Sequence, residues 1–316
     1  MRLGKLNNEQ LERLVLSKYS KTREESLGTP QVGEDCAALN LGGDLTILST
    51  DPVTAATNHL GRLSVHVNCN DAAAAGAEPV GLMVTLLAPP DATEQEIESI
   101  AQELSDAAHE VGVDILGGHT EVTDSVTRFI TNTTVVARMP AENRLLGMQP
   151  GNDIVLTKWA GLEGSMLIAA DFKERLKILN AQEFKELASW IKHLSVVPEG
   201  RYAARHGATA MHDVTEGGVL GAAWEMCHTT GVGMELNEIP VHPITVDLCA
   251  ELGLDPLRLL SSGCMLIACE DGEAMTKGLK ALNIAAAVIG KAGGKTLRLN
   301  GKEVTPPEAD ELYRLF

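Results

Sequence analysis

Residues 93–112, TEQEIESIAQELSDAAHEVG, place Ile97, Ile100, Leu104, Ala107, Ala108 and Val111 at helical spacing. Thr93 and Glu96 form a capping box at the front, and Gly112 provides the stop, so the stretch reads as an amphipathic helix. Before it, DLTILST (44–50) and VGLMVTLLA (80–88) are short apolar runs of the kind found in buried strands, separated by an alanine-rich helical stretch around LSVHVNCNDAAAAGA. After it, VTRFITNTTVVAR (126–138) alternates as a long strand. The turn-rich ENRLLGMQPGND (142–153) separates this unit from a second one beginning with the strand DIVLTK (153–158), which sets a domain boundary near residue 150, with domains 1–150 and 151–316.

The second unit reads as helices at 163–171, 182–193 and 217–230, strands at ATAMHD and CMLIACE, then a helix and IAAAVIGKAGGKTLRLNG. Helices and strands alternate too irregularly for a doubly wound parallel sheet. The pattern predicts two α+β domains with mostly antiparallel or mixed sheets.

Composition narrows the functions available. The 316 residues are 44% hydrophobic and 22% charged, as in a soluble globular protein, and only 3% aromatic, too few for base-stacking platforms. A formal charge of -17 disfavours nucleic-acid backbones and requires divalent cations to bridge any phosphorylated ligand. The sequence has no membrane-length apolar run and no signal-peptide core at MRLGKLNNEQ, and its six cysteines form no CxxC pair, so a reduced cytoplasmic protein is expected.

Five stretches put acidic or small polar residues beside glycine or at a strand end: GEDCAAL (33–39), STDPVT (49–54), NCNDAAAAGA (68–77), GGHTEVT (117–123) and MHDVTEGG (211–218). Each alone is compatible with caps and turns. Together, Asp35, Asp51 and Asp71 share small neighbours and could supply hard oxygen ligands to magnesium from loop tips. Gly117 and Gly118 would admit a phosphate close to backbone amides, with the Thr120 hydroxyl at the same edge. The stretch ILGGHTEVT is open to three readings: a zinc site, a polar turn, or half of a nucleotide-metal site. TKWAGLEGS offers a second cradle, with Lys158 at a strand end and Gly161 and Gly164 before a helix, and an ordinary strand-to-helix turn is its competing reading. GKAGGKT lacks the first P-loop glycine, since Ile289 stands there, and neither His212 nor His119 has a partner at zinc-ligand spacing.

These stretches, in this order, resemble the superfamily of ATP-dependent enzymes that includes aminoimidazole ribonucleotide synthetase, the hydrogenase-maturation carbamoyl dehydratase, selenophosphate synthetase and thiamine-monophosphate kinase. GEDCAAL, STDPVT, NDAAAAGAEP and GGHTE carry the likeness, and MHDVTEGGVLGAAWEMCHTTGVG followed by SSGCMLIA is closest to the hydrogenase-maturation branch. The resemblance implies an α+β, two-domain PurM-like protomer with a C-terminal α/β sandwich domain, whose N-terminal domains pair into a β-barrel across a homodimer, with ATP near that interface. It implies that Asp35, Asp51 and Asp71 hold Mg2+ and the ATP phosphates, with Asn70 assisting. Relatives carry an acid where His119 stands, so either Glu121 takes over that duty or a metal position is missing.

The resulting expectation is ATP-dependent phosphoryl transfer to an oxygen of a small acceptor, with Asp71 acting at the phosphates, Asp213 and Glu216 facing the acceptor and Lys158 on a phosphate. The chain ends ELYRLF with no cysteine after Cys269, so the carbamoyl dehydratase reaction itself is expected to be absent. Thiamine-monophosphate kinase chemistry and a regulatory or assembly protein that binds nucleotide without turnover are the alternatives.

Overall fold

The computed structural model describes residues 8–9, 27, 31–33, 36–54, 58–140, 143–306 and 309–316. Asp35 lies outside them. The first sheet has the order β1-β2-β5-β3-β4, from β1 (Ala37–Leu39), β2 (Leu45–Val53), β3 (Glu78–Ala88), β4 (Asp114–Val122) and β5 (Ile130–Met139). It is mixed: β3 and β4 run parallel and the remaining pairs antiparallel. The second sheet, β12-β11-β8-β10-β6-β9-β7, is also mixed, with β8 and β11 parallel. Its strands are β6 (Asp153–Thr157), β7 (Ala208–Val214), β8 (Met234–Leu236), β9 (Cys264–Cys269), β10 (Ala286–Ala292), β11 (Leu297–Leu299) and β12 (Lys302–Glu303).

Two helices belong to the first sheet. In α2 (Glu94–Val111) the Thr93–Glu96 capping box forms, and Gly112 ends the helix in the left-handed conformation, where a side chain would be strained. The helix α1 (Leu60–Ala74) has no side-chain cap from His59, and its Gly61 N–H is taken instead by the Glu103 carboxylate of α2 at 3.1 Å.

The second sheet is accompanied by α3 (Leu162–Asp171), α4 (Ala181–Ser189), α5 (Val197–Arg205), α6 (Gly218–Thr230), α7 (Pro243–Leu252) and α8 (Gly272–Ala281). Most elements match their predicted spans. Helices α5 and α7 are additions, each with proline in its first turn, where a missing N–H costs nothing.

One apolar cluster joins the two halves. Val65, Cys69 and Ala72 of α1 share it with Val155, Met211, Met265 and Ile267 of the second sheet. Among the described residues no helix is long and apolar enough to cross a membrane.

Candidate functional site

Helix α1 carries a polar stripe. Ser64, Asn68 and Asp71, four and three residues apart, lie on one face and meet the first sheet. Ser64 spends its proton on the Leu60 carbonyl at 2.6 Å and therefore accepts from Thr131 at 2.5 Å. Asn68 accepts the Asp51 N–H at 3.0 Å and donates to the Ser64 carbonyl at 3.0 Å. Asp71, 3% exposed, accepts from the Ser49 hydroxyl at 2.5 Å. Ser49 and Asp51 are two apart on β2 and so point to the same face, bringing the Asp51 and Asp71 carboxylates to one strand-helix junction. Neither residue sits at a loop tip as expected: Asp51 belongs to a strand and Asp71 to a helix.

The ILGGHTEVT stretch is neither a turn nor a loop. Residues Asp114–Val122 form a nine-residue edge strand, exposed throughout. Leu116 is the extra residue of a bulge, and a Cβ on Gly118 would come within 1.7 Å of the Val84 carbonyl oxygen, so glycine is required for β4 to pair with β3.

The strand registers settle which candidates share a face. Asp51, Thr133, Val84 and Gly118 form one row across the sheet. Thr120 lies in the row of Thr131 and Val53 on the same helix-covered face. Gly117, His119 and Glu121 face the other way by the strand's period of two, and His119 meets Glu121 at 3.3 Å. Asp51 and β4 are separated by three strand spacings, on the order of 14 Å. Within one protomer the structure therefore does not bring Glu121, Gly117, Gly118 or Thr120 to Asp51 and Asp71.

Lys158 and Asn70 are already engaged. Lys158 holds a left-handed backbone, φ 56°, and its ammonium donates to the Ser195 carbonyl at 2.8 Å and the Gly263 carbonyl at 2.7 Å, with Glu199 at 2.6 Å. Two carbonyl acceptors and an ion pair thus surround the ammonium, and Glu199 is 1% exposed. Asn70 donates to the Leu194 carbonyl and accepts from the Val196 N–H, both at 2.8 Å, clamping α1 to the turn before α5.

The cradle before α3 is closed in the same way. Gly161 N–H donates to the Ser261 hydroxyl at 2.6 Å and Gly164 N–H to the Leu260 carbonyl at 2.8 Å. A Cβ on Gly164 would meet Leu259 at 2.5 Å. These glycines permit close packing.

The second domain contributes acids from β7 and the loop after it. Met211 and Asp213 share the strand face that packs against α1, while His212 points the other way, its Nε2 3.4 Å from Glu225. Asp213 is 2% exposed. Glu216 accepts from the Tyr313 hydroxyl at 2.9 Å, and Asp310 accepts the Gly217 N–H at 2.7 Å, so the chain's last residues pack onto the TEGG loop. Burial pushes the Asp310 carboxyl up to about 6, and that of the neighbouring Glu163 up to about 7. Asp51, Asp71, His212 and Asp213 each carry a further interaction beyond those named.

Ser49, Asn68 and Tyr313 were not anticipated as supports. Ser49 and Asn68 stand inside motifs that drew attention for their aspartates, whereas nothing local in ELYRLF marks Tyr313. Among the described residues no group of three or more histidine, cysteine or acidic side chains is assembled to hold a metal. Magnesium commonly uses one or two carboxylates and takes the remainder from phosphate and water, and Asp51 with Asp71 fits that smaller requirement.

Residues 33–139 match the AIR synthase related protein N-terminal domain, and residues 149–300 its C-terminal domain. Carbamoyl dehydratase HypE of Cupriavidus necator is 31% identical over 261 residues, covering 77% of this chain and 70% of that protein. Among solved structures, the HypE–HypF complex superposes with a TM-score of 0.78 at 22% identity, covering 94% of this chain and 99% of that one. HypE in complex with ATP gives 0.72 at 20% identity, covering 99% and 98%. AaThiL complexed with AMPPCP and TMP gives 0.77 at 17% identity, covering 98% of each chain.

Proposed function

Since the chain belongs to the AIR synthase related family, we propose that it binds ATP with magnesium and transfers a phosphoryl group to an oxygen of a small acceptor. The observation that carries this reading is the pairing of Asp71, held by Ser49, with Asp51, whose backbone is held by Asn68. Two carboxylates so fixed would hold Mg2+ on the phosphates, and the metal would neutralise the triphosphate in a strongly acidic chain. Asp35 would join them from its neighbouring motif. A complex of a HypE with ATP is among the structural neighbours, which supports nucleotide as the ligand class.

Gly118 and Thr120 lie on the same sheet face as Asp51 but three strands away, so they would serve the phosphates bound by a second copy. A homodimer that pairs the first sheets of two protomers into a barrel, setting the exposed β4 edge of one against the Asp51–Asp71 junction of the other, would bring them there, with Glu121 as a further ligand. Met83, Ile115, Leu116 and Val122 are the exposed apolar residues such a dimer would bury. Asp213, on the sheet face toward α1, and Glu216, fixed by Tyr313, would orient the acceptor. The alternative, nucleotide binding without turnover, draws on the His119–Glu121 contact, which occupies the acid at that position.

The test is ADP release from ATP and magnesium, with parallel measurement of nucleotide binding. Asp71→Asn is expected to lower turnover on the order of a thousandfold while leaving the fold intact, because the amide keeps the Ser49 contact and loses the charge. Mixing Asp71→Asn chains with Glu121→Gln chains is expected to restore about a quarter of parental turnover through hybrid dimers. Binding without any ADP release would establish the regulatory reading; no binding of nucleotide would overturn both.

A further inference from the structure

A cavity of about 400 Å3 lies between the C-terminal end of α2, the segment 195–206 and Leu282 after α8, apart from the residues proposed to hold nucleotide. That volume lies within the small-molecule range. Val111, Val197 and Leu282 give it an apolar wall, and Arg201, Arg205 and His206 give it a basic rim. The two arginines are four residues apart on α5 and so project from one side of the helix.

The charges of the rim are only partly offset by the acids near them. The acid that lines the cavity, Glu110, is bound in a fork by Arg62, which holds its carboxyl below the usual range. Arg201 makes one long contact, 3.4 Å, with Glu78, whose main partner is Arg138 through two bonds at 2.9 and 3.1 Å. The Arg205 guanidinium makes no direct hydrogen bond or ion pair with the side chain of any other described residue, and acts on Glu78 only through space. The His206 ring stacks on Tyr202 with centroids 3.9 Å apart, and its Nδ1 donates to the Tyr202 carbonyl at 2.7 Å, which leaves Nε2 at the rim.

In a chain of net charge -17, two arginines facing one pocket, with the nearby Glu110 and Glu78 each held mainly by another arginine, make a place where a small anion meets positive charge. We propose that this cavity is a second ligand site, separate from the Asp51–Asp71 junction, for a small molecule with a phosphate or carboxylate head and an apolar body. The head binds Arg205 and Arg201 through charge-assisted hydrogen bonds, and the body lies on Val111, Val197 and Leu282. A polyanionic macromolecule does not suit it, because the chain as a whole carries a net charge of -17 and the site is a pocket and not a stripe.

Calorimetric titration of the full chain with phenyl phosphate, benzoate and neutral benzyl alcohol tests this. One phenyl phosphate or one benzoate per chain is expected, and the tighter of the two identifies the head group. Arg205→Gln should weaken binding about tenfold, and Arg201→Gln with Arg205→Gln should abolish it. Asp71→Asn should leave it unchanged, which separates this site from the proposed nucleotide site. Circular dichroism and thermal unfolding establish that the variants are folded, as expected for exposed positions. Absence of anion binding up to about 10 mM, equal binding of benzyl alcohol, or undiminished binding by the folded double variant would overturn the proposal.

Discussion

The two ends of the row Asp51–Thr133–Val84–Gly118 differ in almost every respect. At the β2 end, α1 covers the sheet and Ser49, Asn68 and Asp71 are tied to one another's surroundings by named hydrogen bonds. At the β4 end, nine consecutive exposed residues carry the glycines, His119 and Glu121. Burial makes the first end rigid and costly to alter, whereas the second can change cheaply and acquires its surroundings only when something covers it.

Substitutions can sharpen or break that contrast. The largest stability effect is expected from Lys158→Met, which leaves Glu199 buried without its cation; urea unfolding should show a loss of about 3–5 kcal/mol, much of it recovered by adding Glu199→Leu. A comparable but pH-dependent effect belongs to Glu163, whose carboxyl burial pushes up to about 7 from an ordinary 4.5. Between those values the folded chain keeps a proton that the unfolded chain releases, so stability falls as pH rises through the window, by roughly 3 kcal/mol. Unfolding measured across pH 4.5 to 8 should show this decline, and Glu163→Gln should flatten it. The raised Asp310 carboxyl acts with the same sign up to about 6.

Asn70→Ala removes both bonds to the 194–196 turn and is expected to lower the unfolding free energy by about 2 kcal/mol. At the other end of the row, His119→Ala should change it by less than about 0.5 kcal/mol, since its contact with Glu121 is exposed. A His119 effect as large as that of Asn70 would break the distinction.

Local chemistry made α2 legible: a capping box, a 3.6-residue period and a terminal glycine lie within one continuous stretch. Strand β4 was not legible as a strand, because it lacks the alternation that burial of one face imposes. Its conformation follows from register with β3, a partner thirty-odd residues away in the chain, and its glycines answer to that pairing. The residue types at Asp51, Asp71 and Asp213 point to the site for sound chemical reasons, and the helix around Asp71 and the second-unit strand holding Asp213 were legible, but nothing local brings Asp51 and Asp71 to one junction. Lys158 and Asn70 illustrate the limit most clearly. Their polar atoms are spent on backbone groups of residues 194–196 and 263 and on Glu199, partners brought near only by the fold. Helix α5 escaped notice because VVPEGRYAAR mixes proline, glycine and charge, and the helix is fixed partly by Gly200 lying against Ala73 of α1.

The apolar cluster that runs from Val65, Cys69 and Ala72 into Val155, Met211 and Ile267 means that neither half owns a finished interior. Cutting the chain near residue 150 would turn a greasy flank outward on both fragments. They are expected to clump when produced separately and to regain solubility when made together, and the intact chain should melt in one step.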